Sequence, residues 1–446
     1  MLRAAETSLT SGLGPTGGHS VRCLPSGRGV GVQCSIMGLS QTSIEANWTQ
    51  LCTSCGPSER SNVQMAYDEK DGYVILFGGG GTAPNFPYFD DTWIFKAGSW
   101  TELHPNVSPP RLFDAAMTYD AVDGYVVMFG GSWVGSNGGG NEVNNWTWKF
   151  SGGVWTNITS VPSPPANNGA SMAYDAADGY VVMFGGYNPD VITYQKNATL
   201  IGGDLGSTWK FSGGRWTNIT PAISPEARDS AFMAYDPAEG YVLLFGGINT
   251  TYAPLSDTWQ FRGGKWTELH LNLSPYGKVG GGIAYDPELG TIVTFGGLVT
   301  QVNMTGVYSN ETWEFKDGNW SRVISIQFPA ARAALGMAFD TTDGYLVLFG
   351  GGGIPGHYWG TNDTWVLRPV AIPPPNPHSW WDSPIIAYIA SGAVLTLVAI
   401  GVVIWRARRK KESMDMHAGS SEDLGNPPQQ GVGGTHEQAP PTPPER

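Results

Sequence analysis

The stretch GYVVMFGG, Gly124–Gly131, is written again without change at Gly179–Gly186. Near copies stand at Gly72 (GYVILFGG), Gly240 (GYVLLFGG), Gly290 (GTIVTFGG) and Gly344 (GYLVLFGG). Upstream of each lies a short anchor: MAYD at Met65, MTYD at Met117, MAYD at Met172 and Met233, IAYD at Ile283 and MAFD at Met337. Every anchor stands 13 residues before the first glycine of its pair. After a segment of variable length comes a Thr-Trp pair, with Trp93, Trp148, Trp209, Trp259, Trp313 and Trp365. Seven residues past the first five of these is a second tryptophan: Trp100, Trp155, Trp216, Trp266 and Trp320. From each second tryptophan to the next anchor is 17 residues.

Each unit of 50–61 residues reads as four short antiparallel strands, with tight turns such as YDAVDG and SGG and one variable loop. Four strands repeated at that period predict an all-β propeller. An aromatic second strand ending in Gly-Gly, followed by a downstream Trp, resembles the kelch repeat, as in the central propeller domain of galactose oxidase. The likeness covers Asn47 to Leu367 and implies a fold, not a function, because kelch propellers bind proteins, bind sugars or carry active sites. The sixth unit lacks a fourth strand, since AIPPPNPH follows Trp365 and its prolines cannot pair. ANWTQL, Ala46–Leu51, carries Trp48 17 residues before Met65, so an N-terminal strand should close the ring at six blades.

The remaining segments differ in composition. Residues 1–45 read as a disordered Gly/Ser-rich leader, 46–368 as the propeller and 369–384 as a Pro-rich spacer. Ile385–Trp405 is 21 residues without a charge and RARRKK follows it, which predicts a single transmembrane helix. The positive-inside rule places residues 406–446 as a disordered tail in the cytoplasm and the propeller outside. No apolar h-region is visible in the first 45 residues, so no cleavable signal peptide is expected. Twelve Asn-x-Ser/Thr sequons precede the membrane segment, at Asn47, Asn106, Asn145, Asn157, Asn197, Asn218, Asn249, Asn272, Asn303, Asn310, Asn319 and Asn362. They point to a glycosylated ectodomain, although Thr-rich strands also create such matches by chance. Outside the cell Cys23, Cys34, Cys52 and Cys55 are expected in disulfides, with the pairing open.

The net charge of −13 and the lack of a basic stripe exclude nucleic acid as a partner. In this topology the variable loops and the 17-residue connections emerge at one end of every sheet, so a binding face is expected there. Its candidate aromatics are Trp133, Tyr187, Tyr252, Tyr308, His357, Tyr358 and Trp359. Five residues before the anchors stand Arg60, Leu112, Asn167, Arg228, Lys278 and Arg332. Four of these six are basic and would ring the channel mouth, where they could hold a carboxylate or acidic sugar. Both sets have plainer uses: the aromatics packing within their loops, the cations bonding neighbouring blades beside Arg111, Asp114 and Asp229. The YDxxDG carboxylates read as turn residues, and no cofactor or metal is expected. The copper chemistry of galactose oxidase lacks its ligands, since no cysteine follows Gly56. A sialidase-like use of Arg60, Arg228 and Arg332 lacks an identifiable Tyr nucleophile. The leading expectation is a membrane-anchored module that binds a glycan or surface protein. A glycan-processing enzyme comes second and a structural envelope component third.

Overall fold

The computed structural model describes residues 20–25, 32–37, 46–81, 88–134, 141–195, 198–302, 305–353 and 360–370. Ile385–Trp405 and the tail lie outside them, as does almost all of the spacer. Among the described residues no helix is long and apolar enough to cross a membrane.

The core is six four-stranded antiparallel sheets. Sheet 2 shows the pattern: Ala116–Asp120, Tyr125–Phe129, Thr147–Ser151 and Val154–Asn157, paired in chain order. The innermost strands of sheets 1, 3, 4 and 5 are Gln64–Asp68, Ser171–Asp175, Phe232–Asp236 and Gly282–Asp286. Sheet 6 joins Gly336–Asp340, Tyr345–Phe349 and Thr364–Pro369 to Ala46–Cys52, which pairs with Thr364–Pro369 from more than 300 residues away in sequence. Second strands are buried and apolar because both of their faces are covered by neighbouring sheets, except that sheet 5 has Thr291 and Thr294, whose hydroxyls bond the Phe315 and Gly282 carbonyls. Fourth strands of sheets 2, 3 and 4 bury their tryptophan between exposed neighbours.

The double glycines have a steric cause. A Cβ on Gly130 would stand 2.6 Å from the carbonyl oxygen of Asn167, at the entrance of sheet 3, and Gly130 and Gly131 have φ of 69° and 97°. Every pair abuts the next sheet in this way; Gly350 of sheet 6 meets the Arg60 carbonyl of sheet 1 at 2.7 Å.

Two sets of hydrogen bonds link all six sheets in cyclic order. The indole Nε1 of each fourth-strand tryptophan donates to the third-strand threonine of the preceding sheet. The pairs are Trp155–Thr92, Trp216–Thr147, Trp266–Thr208, Trp320–Thr258, Trp48–Thr312 and Trp100–Thr364, at 2.9–3.1 Å. Each indole also meets a phenylalanine of that sheet at 5.1–5.4 Å, as Trp48 meets Phe295. Nearer the axis, the residues three before each anchor form a circlet of backbone bonds. Asn62 donates to Ala334, Ala334 to Gly280, Gly280 to Ser230, Ser230 to Gly169, Gly169 to Asp114 and Asp114 to Asn62, at 2.5–3.3 Å. All six have positive φ, from 52° to 64°.

Two expectations need correction. The leader is not wholly without structure, since Ser20–Pro25 pairs with Val32–Met37 in an antiparallel hairpin. Its alternating VRCL and VQCSIM runs were masked by the glycines around them. The spacer begins later than residue 369, because Pro369 pairs with Ala46 at the edge of sheet 6. Cys52, the last residue of the closing strand, forms a disulfide with Cys55.

Candidate functional site

The basic positions before the anchors are not a free cationic ring. Arg60, Arg228 and Arg332 are buried, at 0–1% exposure. Each grips a carboxylate of its own sheet through both terminal nitrogens: Asp91 at 2.6 and 2.9 Å, Asp257 at 2.6 and 2.7 Å, Asp363 at 2.6 and 2.8 Å. Each also donates to the first-glycine carbonyl, of Gly78, Gly246 or Gly350. Burial would raise the Asp257 and Asp363 carboxyls, but the bonds and charge of Arg228 and Arg332 outweigh it and hold both below the usual range. Buried and clasped to a carboxylate of its own sheet, a guanidinium of this kind is not presented to an acidic sugar, so the carboxylate-binding expectation for these arginines is corrected. In sheet 5 Lys278 faces Glu311 at 3.7 Å; its Nζ is buried without a hydrogen-bond partner, and burial pulls it down to about 8.

The acceptors occupy one register, immediately before each third-strand Thr. Across the six sheets the pairs read Arg60/Asp91, Leu112/Trp146, Asn167/Ser207, Arg228/Asp257, Lys278/Glu311 and Arg332/Asp363. Both members change together. Where the acceptor is Trp146 the neighbouring Trp148 indole is left without a partner, whereas Trp93, Trp209, Trp259, Trp313 and Trp365 each donate to theirs.

What remains at the axial mouth is acidic. Asp114 sits in the circlet, Asp229 lies beside Ser230, and Asp204 ends the loop hairpin of sheet 3, paired across from Tyr187. Tyr187 exchanges backbone bonds with Asn168, beside the circlet link from Ser230 to Gly169, which brings Asp204 to the corner where Asp229 stands. Burial, then the charge of Asp229, pushes Asp204 up to about 8 and Asp114 up to about 7. Asp229 is raised by burial as well. Asn62 Nδ2 donates to Asp114 at 2.8 Å. Among the described residues, the second oxygen of Asp204 is buried with no hydrogen-bond partner. Sequence reasoning missed this cluster because its members come from unrelated registers of three units.

The loop aromatics separate sharply. Tyr252 is 80% exposed, at φ 58°, on a loop whose Asn249 Oδ1 accepts from the Thr251 and Ala253 amides. Tyr187 is half-buried within electrostatic reach of Tyr252, Asp204 and Asp229. Trp133 instead packs on Trp146 at 5.5 Å, and Tyr308 lies against the backbone of Gly353. Those two are packing residues. His357, Tyr358 and Trp359 lie outside the described residues.

Several sequons have a structural use. Asn157 and Asn218 accept from the amides of Thr159 and Thr220, whose hydroxyls accept from Thr147 and Thr208. Asn47 caps the Ser325–Gln327 turn, and Asn249 donates to Glu226. Thr147, Thr312 and Thr364, the third residues of the sequons at Asn145, Asn310 and Asn362, take the inter-sheet indole bonds. Asn106, Asn145, Asn157, Asn218, Asn272 and Asn319 are exposed, Asn310 and Asn362 are half-buried, and Asn197 and Asn303 lie outside the described residues.

Comparison with known proteins yields fold alone. No protein-family profile matches the chain, and no curated protein matches it. Among solved structures it is similar to YjhT, at 16% identity and a TM-score of 0.53, over 70% of this chain and 96% of that one. The likeness and the sheets together show a β-propeller fold.

Proposed function

We propose that the chain is a six-bladed, kelch-type propeller closed by Ala46–Cys52, held at a cell surface by Ile385–Trp405, and that it binds a glycan or a surface protein through its loop face. Six sheets linked cyclically by the tryptophan bonds support the blade count and the closure. The anchor, the outward orientation and the glycans rest on the charge-free run, the basic cluster after it and the exposed sequons.

The observation that carries the binding reading is where the chain leaves the ring. Ala46 pairs with Pro369, at the tight-turn end of sheet 6, so the chain enters and leaves the propeller at that end. The loop face is therefore the end opposite the one that leads to the proposed anchor. It also presents Tyr252 and the acidic mouth. Glycan-array and cell-adhesion assays of the full chain test this: Tyr252→Ala should weaken binding, whereas Glu69→Ala or Ala176→Ser at the turn end should leave it intact. Equal effects from the two ends would end the one-faced reading.

A further inference from the structure

The basic side chains before the anchors are each set against an acid of their own sheet, since Arg60, Arg228, Lys278 and Arg332 face Asp91, Asp257, Glu311 and Asp363. The field at the mouth is left to Asp114, Asp204 and Asp229, with Glu226 adding to Asp204. Neighbouring carboxyls in a buried corner without a cation are stabilised by keeping a proton between them. Such a proton is exchangeable for a cation. The unpartnered Asp204 Oδ2, in a residue 6% exposed, is an acceptor already desolvated and lacking a donor.

We propose that the axial mouth binds a protonated primary amine, held by the Asp204–Asp229 pair with Tyr187 and Tyr252 beside it. An ammonium group brings three donors and a compact positive charge, which suits two adjoining carboxylates. Tyrosine faces add cation–π attraction. A hard divalent ion fits less well, because it takes six to eight oxygens and, among the described residues, no three His, Cys, Asp or Glu side chains converge to hold one. On binding, the R–NH3+ group replaces the shared proton: Asp204 releases H+ to solvent, and the amine keeps its own three. The same chemistry serves an amino sugar or a lysine side chain. The inference rests on the loop face being the binding face, and reverses the acidic-sugar expectation.

Titration calorimetry of the full chain tests it, using glucosamine oligomers, their N-acetylated counterparts and a lysine-rich peptide, in two buffers of different ionisation enthalpy at neutral pH. The free-amine oligomer or the peptide should bind roughly ten-fold or more tightly than the acetylated oligomer. With the lysine-rich peptide, whose amines are fully protonated at neutral pH, the heat should differ between buffers by the release of one proton; with the glucosamine oligomer, whose amines are only partly protonated there, the net release should be smaller. Asp204→Asn and Asp229→Asn should each lose that preference while still melting in one cooperative transition. Should either fail to fold, the acetylated-versus-free comparison on the wild type decides. Preference for the oligomer assigns an amino sugar, and preference for the peptide a lysine side chain. Equal affinity for acetylated and free oligomers, weakened by Tyr252→Ala alone, overturns the amine inference and leaves the loop-face reading standing. No binding of any probe overturns the inference, and loss of binding from turn-end variants overturns the face reading too.

Discussion

At the tight-turn end all six sheets do the same thing. Asp68, Asp120, Asp175, Asp236, Asp286 and Asp340 each accept from the amides two and three residues on, and the glycine four residues on closes the turn. At the loop end the sheets diverge. The basic clasp of sheets 1, 4 and 6 becomes Leu112/Trp146 in sheet 2 and Asn167/Ser207 in sheet 3, and the circlet gathers acids on one side only. One end repeats a local solution that needs only neighbouring residues. The other varies around a fixed frame, which is where a chain can change its ligand without changing its fold.

The largest effect tests whether both ends belong to one closed ring. Trp48 is fully buried, bonded to Thr312 and packed edge-on to Phe295. Trp48→Ala should cost roughly 3–5 kcal/mol in chemical denaturation. Removing residues 1–51 should lower the transition of the whole propeller, and an unchanged midpoint would open the ring.

Next come the clasps against the turns. Arg228→Ala strands Asp257 in a partly buried site and should cost about 3–5 kcal/mol. Asp120→Ala, at the turn end, removes two backbone caps and should cost about 1–2 kcal/mol. The paired change Arg228→Leu with Asp257→Trp copies sheet 2 and should cost less than Arg228→Ala alone. A paired cost above the single one would show that Leu112/Trp146 depends on Trp133 and not on the pair itself.

The pH dependence sharpens the contrast. Asp204, Asp114 and Asp286 have folded values raised to about 8, 7 and 6, so the folded state holds their protons more firmly than the unfolded chain does. Their contribution to stability is whole below the ordinary carboxylate range and is lost as pH rises through about 6 to 8. The melting temperature should therefore fall between about pH 5.5 and pH 8.5. Asp114→Asn with Asp204→Asn should flatten most of that slope, whereas Asp286→Asn at the turn end should remove only its lower part.

The smallest expected change in stability is that of Tyr252→Ala, within about 0.5 kcal/mol because the ring is exposed. Trp133→Ala, packed on Trp146, should cost more, and calorimetric melting separates the two.

The spacings of 13 and 17 residues carried the fold in the sequence, because they are set by strand length and by the fixed crossing from one sheet to the next. Trp48 was legible for the same reason. The clasps were not, since Arg and Asp partners lie 29–31 residues apart across loops of unequal length. Their concerted replacement across the six units was the available signal. The acidic mouth had no such signal: Asp114 belongs to the circlet, Asp229 stands one residue before it, and Asp204 comes from a loop hairpin.

Hydrogen–deuterium exchange of the full chain with and without a saturating glucosamine oligomer tests the division of the two ends most directly. Protection should be confined to the peptides holding Asn62, Asp114, Gly169, Tyr187, Asp204, Asp229 and Tyr252, with the six Asp turns unchanged. Protection at those turns, or none around the mouth in a chain that binds the oligomer, would contradict the account.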